Sequence, residues 1–126
     1  MFNRVFATLA IGLLPVLAAC VPGEALPSTC GEPAVTITAT LSGDHLDPTN
    51  LDACRDQHVT LKVASELSGD FHLHGYDDQV PETEISKGET LTLEFDAVRS
   101  GQFPIELHPA DGSDEFEIGT FTVHEP

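Results

Sequence analysis

Apolar and polar residues alternate in several short stretches of this chain, beginning near residue 34. The clearest stretches are Val35 to Leu41, Val59 to Val63, Leu91 to Phe95 and Phe103 to Leu107, with weaker ones at Phe71–Leu73 and near residues 82–85 and 117–123. A period of two residues is typical of strands with one buried face. About seven such strands, separated by glycine-containing turns, predict an all-β antiparallel sandwich. Residues 47–56 are the one candidate for a helical turn.

The N-terminal segment has a different pattern. Arg4 precedes an apolar run from Val5 to Ala18, which is too short to cross a bilayer but has the length of a signal-peptide core. The run ends in Leu-Ala-Ala-Cys, which resembles the lipobox of bacterial lipoproteins. By that resemblance residues 1–19 are a signal peptide that is removed, and Cys20 carries the lipid. We therefore expect a protein anchored to a membrane of the bacterial cell envelope, with its domain facing the periplasm or the exterior.

The mature chain would consist of a tether and one domain. Residues 20–33 contain three of the nine prolines and no periodicity, which predicts a flexible tether, and residues 34–126 suffice for a single domain. All 21 Asp and Glu follow residue 19, whereas one of the five Lys and Arg precedes it, so the mature chain has a formal charge of −17. Such a surface disfavours nucleic acid and anionic headgroups as partners. Membrane lipid would be contacted through the acylated Cys20.

Two further cysteines remain once Cys20 is acylated. Cys30 and Cys54 form an even pair outside the cytoplasm, which indicates a disulfide. Neither lies in a Cys-x-x-Cys motif or beside a histidine, as a redox or metal site would favour. The predicted bridge closes a loop of about 25 residues and would stabilise the fold by roughly 3 kcal/mol.

The order of the strand motifs resembles a known fold family. The segments DFHLHGYD, EISKGETLTLEF and GQFPIELH, followed by IGTFTV, are similar in order and spacing to the cupredoxin-like domains of bacterial envelope proteins. The resemblance implies a Greek-key β-sandwich. In the copper-binding relatives it also implies a histidine near the first segment, and a cysteine and further ligands at the end of the penultimate strand and in the loop after it.

The chain departs from the blue-copper pattern in its ligands. A blue centre needs a thiolate, two imidazoles and usually a weak axial methionine. Leu107 stands about where the family's copper cysteine would be, no cysteine follows Cys54, and the only methionine is Met1. The residue inventory therefore excludes a blue electron-transfer centre.

Histidines nevertheless gather in the segments that resemble the copper proteins. His72 and His74 are two residues apart on one strand and so share a face, and His108 ends the later strand, which we expect to lie near the end of the first. Together they predict a copper(II) or zinc site, with Glu106 as an additional ligand and Asp77 orienting an imidazole. The competing interpretation is that alternation turns these residues toward solvent, where they are surface or hydrogen-bonded polar groups.

Two functions of different classes follow. One is a membrane-anchored lipoprotein that binds copper or another divalent ion for storage, delivery or sensing. The other is a metal-free sandwich that acts as an interaction or structural module, with an envelope protein as its unknown partner. No enzyme is expected, because the chain has no recognisable nucleophile triad, phosphate loop or scaffolded carboxylate pair. The remaining histidines are expected to be incidental: His45, His58 and His124.

Overall fold

The computed structural model describes Gly23 and residues 25–126. Its only helix in this part is a short 3-10 helix, Ser28–Gly31. Nine strands follow: β1 (Ala34–Ser42), β2 (His45–Asp47), β3 (Asn50–Cys54), β4 (His58–Ser65), β5 (Gly69–Leu73), β6 (Thr83–Ile85), β7 (Thr90–Asp96), β8 (Gly101–Pro109) and β9 (Phe116–His124). None of the helices in these residues has the length and apolar character of a membrane span. The predicted signal peptide and Cys20 lie outside the described residues.

The nine strands form two sheets around one core. One sheet has the order β2-β1-β4-β7 and the other the order β3-β9-β8-β5-β6. The all-β sandwich is confirmed, with nine strands where about seven were expected. The sheets are mixed rather than purely antiparallel, because β1 pairs with β4 and β3 pairs with β9 in parallel, while the other five pairings are antiparallel.

The prediction of a helical turn within residues 47–56 is wrong. The segment contains the end of β2 and all of β3. In β3, Leu51 and Ala53 are buried while Asn50 and Asp52 are exposed, so the segment does have a period of two. Its partner is β9, at the far end of the chain, and this distant ladder outweighs the local turn preference of Asn and Asp.

Alternation along β5 and β8 decides which side chains enter the core. Phe71 and Leu73 of β5 are fully buried, and Leu107 of β8 is 1% exposed. Burying such a side chain stabilises a fold by about 1.5–3 kcal/mol, which holds the strands in this register. The alternate residues therefore face outward, and His72 and His74 are among them.

A disulfide attaches the N-terminal residues to the sandwich. Cys30 and Cys54 are bridged, with their Cα atoms 5.2 Å apart, so this prediction is confirmed. The buried Gln57 adds to the attachment, because its Nε2 donates to the carbonyl oxygens of Thr29 and Glu32 at 2.6 and 2.8 Å. The last residues of the predicted tether are therefore held against the fold.

Candidate metal centre

The candidate centre lies on the outer face of the five-stranded sheet. Strands β5 and β8 are antiparallel neighbours there, with His72 opposite Glu106 and Asp70 opposite His108. His108 therefore lies beside the start of β5, whereas the sequence had predicted that it would lie beside the end of that strand. It still reaches His72 across the diagonal of the ladder, where the two ring centroids are 6.0 Å apart.

Three of the predicted residues come together closely enough to share an ion. His72, Glu106 and His108 each offer a ligand atom, and these atoms lie within 4.8 Å of one another. Two atoms bound to one ion at about 2.0–2.1 Å can be at most about 4.2 Å apart. The 4.8 Å bound exceeds this limit by about 0.6 Å, so all three atoms could bind one ion only if the side chains rotate toward one another.

His74 has a different position from the one expected of a third imidazole ligand. Its ring leans against that of His72, with the centroids 4.0 Å apart, so the two side chains do converge. However, its Nε2 donates to Oε2 of Glu106 at 2.7 Å. His74 therefore orients Glu106 and is not one of the three residues whose ligand atoms converge.

Asp77 orients His72, as predicted. Nε2 of His72 donates to Oδ1 of Asp77 at 2.6 Å. This hydrogen bond holds the pKa of the Asp77 carboxyl below its usual range. An imidazole that donates through Nε2 to a carboxylate carries its lone pair on Nδ1, so Nδ1 is the atom that is ready to bind a metal.

His108 carries an unsatisfied nitrogen. Its Nε2 is buried and has no hydrogen-bond partner. Oε2 of Glu115 is 3.0 Å away, which is ion-pair distance, but the angles do not make a hydrogen bond. Oε1 of Glu82 lies 3.4 Å from Nδ1 on the other side of the ring. A buried orphan nitrogen between carboxylates is unusual in a folded protein and suits a cation-binding group.

Glu82 and Glu115 were not among the residues expected at the site. Each precedes a strand in a connecting segment, Glu82 before β6 and Glu115 before β9. Nothing distinguishes them in a sequence with 21 scattered acidic residues. Only the approach of these two connections to the end of β8 singles them out.

The donor atoms exclude a soft metal site in the described residues. Leu107, at the position of the family's copper cysteine, is buried and paired with Phe71. Cys30 and Cys54 are joined in the disulfide, and methionine is absent from the described range. Imidazole and carboxylate donors without sulfur suit copper(II), zinc or nickel.

The other three histidines form single pairs with carboxylates. His45 contacts Asp44, His58 contacts Asp96 and His124 contacts Asp52, at 3.0, 2.8 and 2.8 Å. None of them belongs to the three-residue cluster found among the described residues.

An open cleft is lined in part by Leu107 and Pro109, the two residues that flank His108 in sequence. Its volume is about 560 Å³, and Leu67, Lys87 and Phe116 are among its lining residues. No histidine lines it. The candidate centre is thus a surface cluster on a sheet and not the floor of this cleft.

Comparison with solved structures identifies the class of fold. A copper binding protein in its apo form superposes with a TM-score of 0.57 at 12% identity, over 73% of this chain and 89% of the other. Auracyanin from the photosynthetic bacterium Roseiflexus castenholzii gives 0.51 at 15%, over 71% and 96%. The metal binding domain of the Cu(I) exporting P-type ATPase CopA from Streptococcus pneumoniae gives 0.52 at 12%, over 75% and 89%. The chain therefore has the cupredoxin-like fold. No protein-family model and no curated protein matches it.

Proposed function

We propose that this protein binds a divalent metal ion, copper(II) foremost, on a cupredoxin-like domain anchored to the bacterial envelope. The observation that carries the proposal is the convergence of ligand atoms from His72, Glu106 and His108 within 4.8 Å. The orphan Nε2 of His108 supports it independently. Storage, delivery or sensing of the ion is the role that such a surface site suits.

Each side chain has a distinct part in the proposed site. His72 and His108 supply imidazole nitrogen, and Glu106 supplies a carboxylate oxygen. Asp77 and His74 are positioning residues, because they contact His72 and Glu106 at 2.6 and 2.7 Å. Copper is favoured over zinc because the similar structures are copper proteins by name. It is also favoured because nitrogen and oxygen sites bind copper(II) more tightly than zinc in general.

We propose binding and not catalysis. The cluster lies on the outer face of a sheet, and the open cleft is lined by other residues. A catalytic metal needs a shaped cavity that excludes water and positions a substrate. The His74 side chain is 39% exposed and that of His108 is 35% exposed, so the cluster is partly open to solvent.

Titration of the purified chain with copper(II) and with zinc tests the metal proposal. We expect one equivalent to bind, without the intense visible band of a blue centre. H72A and H108A should each abolish stoichiometric binding, and E106Q should weaken it at least tenfold. H58A is the matched control, because His58 forms a similar pair with Asp96 at 2.8 Å on the other sheet. Absence of binding by the parent chain, or equal loss in H58A, would contradict the proposal.

Membrane attachment rests on the N-terminal sequence. An apolar run that ends in Leu-Ala-Ala-Cys supports removal of residues 1–19 and acylation of Cys20. C20A should abolish labelling by a radioactive or clickable fatty acid and move the protein from the membrane to the soluble fraction. Unchanged fractionation would place the anchor elsewhere.

A metal-free interaction module is the second candidate, and one observation favours it. His72 and His74 already donate to the carboxylates of Asp77 and Glu106, at 2.6 and 2.7 Å, so the network is partly satisfied without an ion. In that case the face would contact an envelope protein instead. The titration decides between the two, because a module of this kind would bind neither metal stoichiometrically.

A further inference from the structure

The candidate site contains only nitrogen and oxygen donors, and this has a consequence for copper chemistry. His72, Glu106 and His108 form the cluster, and carboxylates of Glu82 and Glu115 lie 3.4 and 3.0 Å from nitrogen atoms of His108. Cuprous ion prefers thiolate and thioether sulfur, whereas cupric ion is well served by imidazole and carboxylate. The described residues offer no free thiol and no thioether.

The negative charge around the site also favours cupric over cuprous ion. The proposed ligand set includes one carboxylate, and two more flank His108. The mature chain carries a formal charge of −17, so a dication gains more from this field than a monocation does. One-electron reduction lowers the charge of the bound ion from +2 to +1, which weakens its attraction to the carboxylates. It also replaces Cu(II), which suits imidazole and carboxylate donors, with Cu(I), which prefers sulfur donors.

We infer that this site is specific for copper in the divalent state and releases the ion when it is reduced. The inference rests on the proposed metal-binding function and adds to it the oxidation state and the trigger for release. A one-electron donor of the ascorbate class supplies the electron, Cu(II) becomes Cu(I), and the donor becomes its radical. The bonds to His72, Glu106 and His108 break, and a soft acceptor takes up the cuprous ion.

The exposed position of the cluster fits such a hand-over. The His72 side chain is 19% exposed and that of His108 is 35% exposed, so both a small reductant and an acceptor can reach the ion. A site buried between the sheets, by contrast, would require opening of the fold before either could approach.

The test measures the affinity of the full-length chain, in detergent micelles, for both oxidation states. Copper(II) is loaded at one equivalent and followed by its paramagnetic resonance spectrum. Ascorbate is then added without oxygen, with bicinchoninate at graded concentrations as a competing cuprous ligand. We expect Cu(II) to bind at least 100-fold more tightly than Cu(I). A 100-fold preference lowers the potential of the bound couple by about 120 mV relative to the free couple, at 59 mV per tenfold.

A single substitution at the site provides the matched variant. E106M replaces the carboxylate with a thioether and keeps both imidazoles, so it should retain cuprous ion at least tenfold more tightly than the parent. Copper that stays bound to the parent after reduction, at affinity equal to that of Cu(II), would overturn the inference while leaving metal binding intact. Failure to bind Cu(II) at all would overturn the proposed function itself. If E106M binds copper in neither state, the two affinities of the parent decide alone.

Discussion

Histidine–carboxylate pairing is the dominant side-chain interaction of this protein. All six histidines lie within 3.0 Å of an Asp or Glu oxygen. With 21 acidic residues against five Lys and Arg, carboxylates greatly outnumber the permanently charged basic groups, so an imidazole on the surface commonly has a carboxylate beside it. A carboxylate beside a histidine is therefore no mark of a site here. What distinguishes the cluster is that its imidazoles lie near one another, with ring centroids 4.0 and 6.0 Å apart.

Substitution D77N tests the role of the carboxylate behind His72. The variant keeps the shape of the side chain but no longer accepts a charge-assisted hydrogen bond from Nε2, so His72 loses its fixed orientation. Affinity for copper(II) should fall about 10–100-fold. Stability should change by less than about 1 kcal/mol, because the pair is largely exposed on the Asp77 side. D44N, which changes the similar His45 pair, should leave copper affinity unchanged, and equal losses in both would refute an orienting role.

Tyr76 is a second residue whose environment has a measurable effect, in this case on the pKa of its phenol. Its ring is fully buried against Phe95, Phe103 and Phe121, and its hydroxyl donates to the carbonyl oxygen of Arg99 at 2.9 Å. Burial raises the pKa of the phenol above its ordinary value of 10. Because the pKa of the phenol is higher in the folded state than in the unfolded state, protonation of the phenol stabilises the fold. This stabilisation is complete below pH 10 and is lost as the pH rises through the pKa of the folded state.

The ultraviolet absorbance of tyrosinate reports this directly, because Tyr76 is the only tyrosine. We expect the phenol of the folded protein to titrate at a higher pH than the phenol of the urea-unfolded protein. Y76F should lower the free energy of unfolding at pH 7 by about 1–2 kcal/mol, since it removes a buried hydrogen bond. It should also lose the steep decline of stability above pH 10. Coincident titration of the folded and unfolded states would contradict the argument.

The turn after β5 positions the histidine strand. His74 N–H still pairs with the carbonyl of Pro104 at 3.0 Å, and the chain then turns at Gly75, whose φ is +81°. A Cβ at Gly75 would lie 2.6 Å from Cδ1 of Phe103, a partly buried ring packed against the core. The end of β5 is therefore held by backbone conformation and by contact with β8 together.

Substitution G75A should destabilise the fold by about 2–5 kcal/mol. The left-handed conformation costs an alanine about 1–2 kcal/mol, and displacement of the Phe103 ring adds about 1–3 kcal/mol. Gly88 offers the matched control, since its φ is +85° and a Cβ added there would have nothing within 4 Å. G88A should cost about 1–2 kcal/mol, and urea unfolding of the two variants measures the difference. Equal losses would mean that the Phe103 contact has no part.

At the scale of the whole molecule, the disulfide joins the N-terminal residues to the two-sheet body. Cys30 lies in the short 3-10 helix, Ser28–Gly31, where its N–H donates to the carbonyl oxygen of Pro27. Cys54 is the last residue of β3. The bridge spans 24 residues of sequence and thus encloses β1, β2 and β3, which ends at Cys54. Gln57 reinforces it by accepting a hydrogen bond from the Cys54 amide at 2.8 Å while donating to the N-terminal residues.

The double variant C30S/C54S should lose about 3 kcal/mol of unfolding free energy, because the unfolded chain regains the entropy of the open loop. Urea unfolding under non-reducing conditions measures the loss. Reduction of the parent protein should produce a similar shift, whereas the variant should be insensitive to reductant. A parent protein whose stability is unchanged by full reduction would contradict this role for the bridge.

Much of the site could be predicted from the sequence because side-chain direction in a strand is a local property. Alternation alone turns Phe71 and Leu73 inward and His72 and His74 outward, and the structure confirms it. The residue inventory alone excludes a blue-copper centre, since no arrangement of the chain can supply a missing thiolate. The pairing of Cys30 with Cys54 could be predicted because they are the two cysteines that remain if Cys20 is acylated, and the structure contains this bridge.

Tertiary structure decided what no local pattern contains, namely which strands are neighbours and in which register. The pairing of β5 with β8 sets His72 opposite Glu106 and His108 on the diagonal, and it gives His74 the carboxylate of Glu106 as its partner. The approach of Glu82 and Glu115 to His108, and the existence of β3, likewise depend on residues distant in sequence. Side-chain alternation repeats every two residues and can therefore be predicted from the local sequence. Contacts between strands far apart in sequence form only when the two sheets pack around the core.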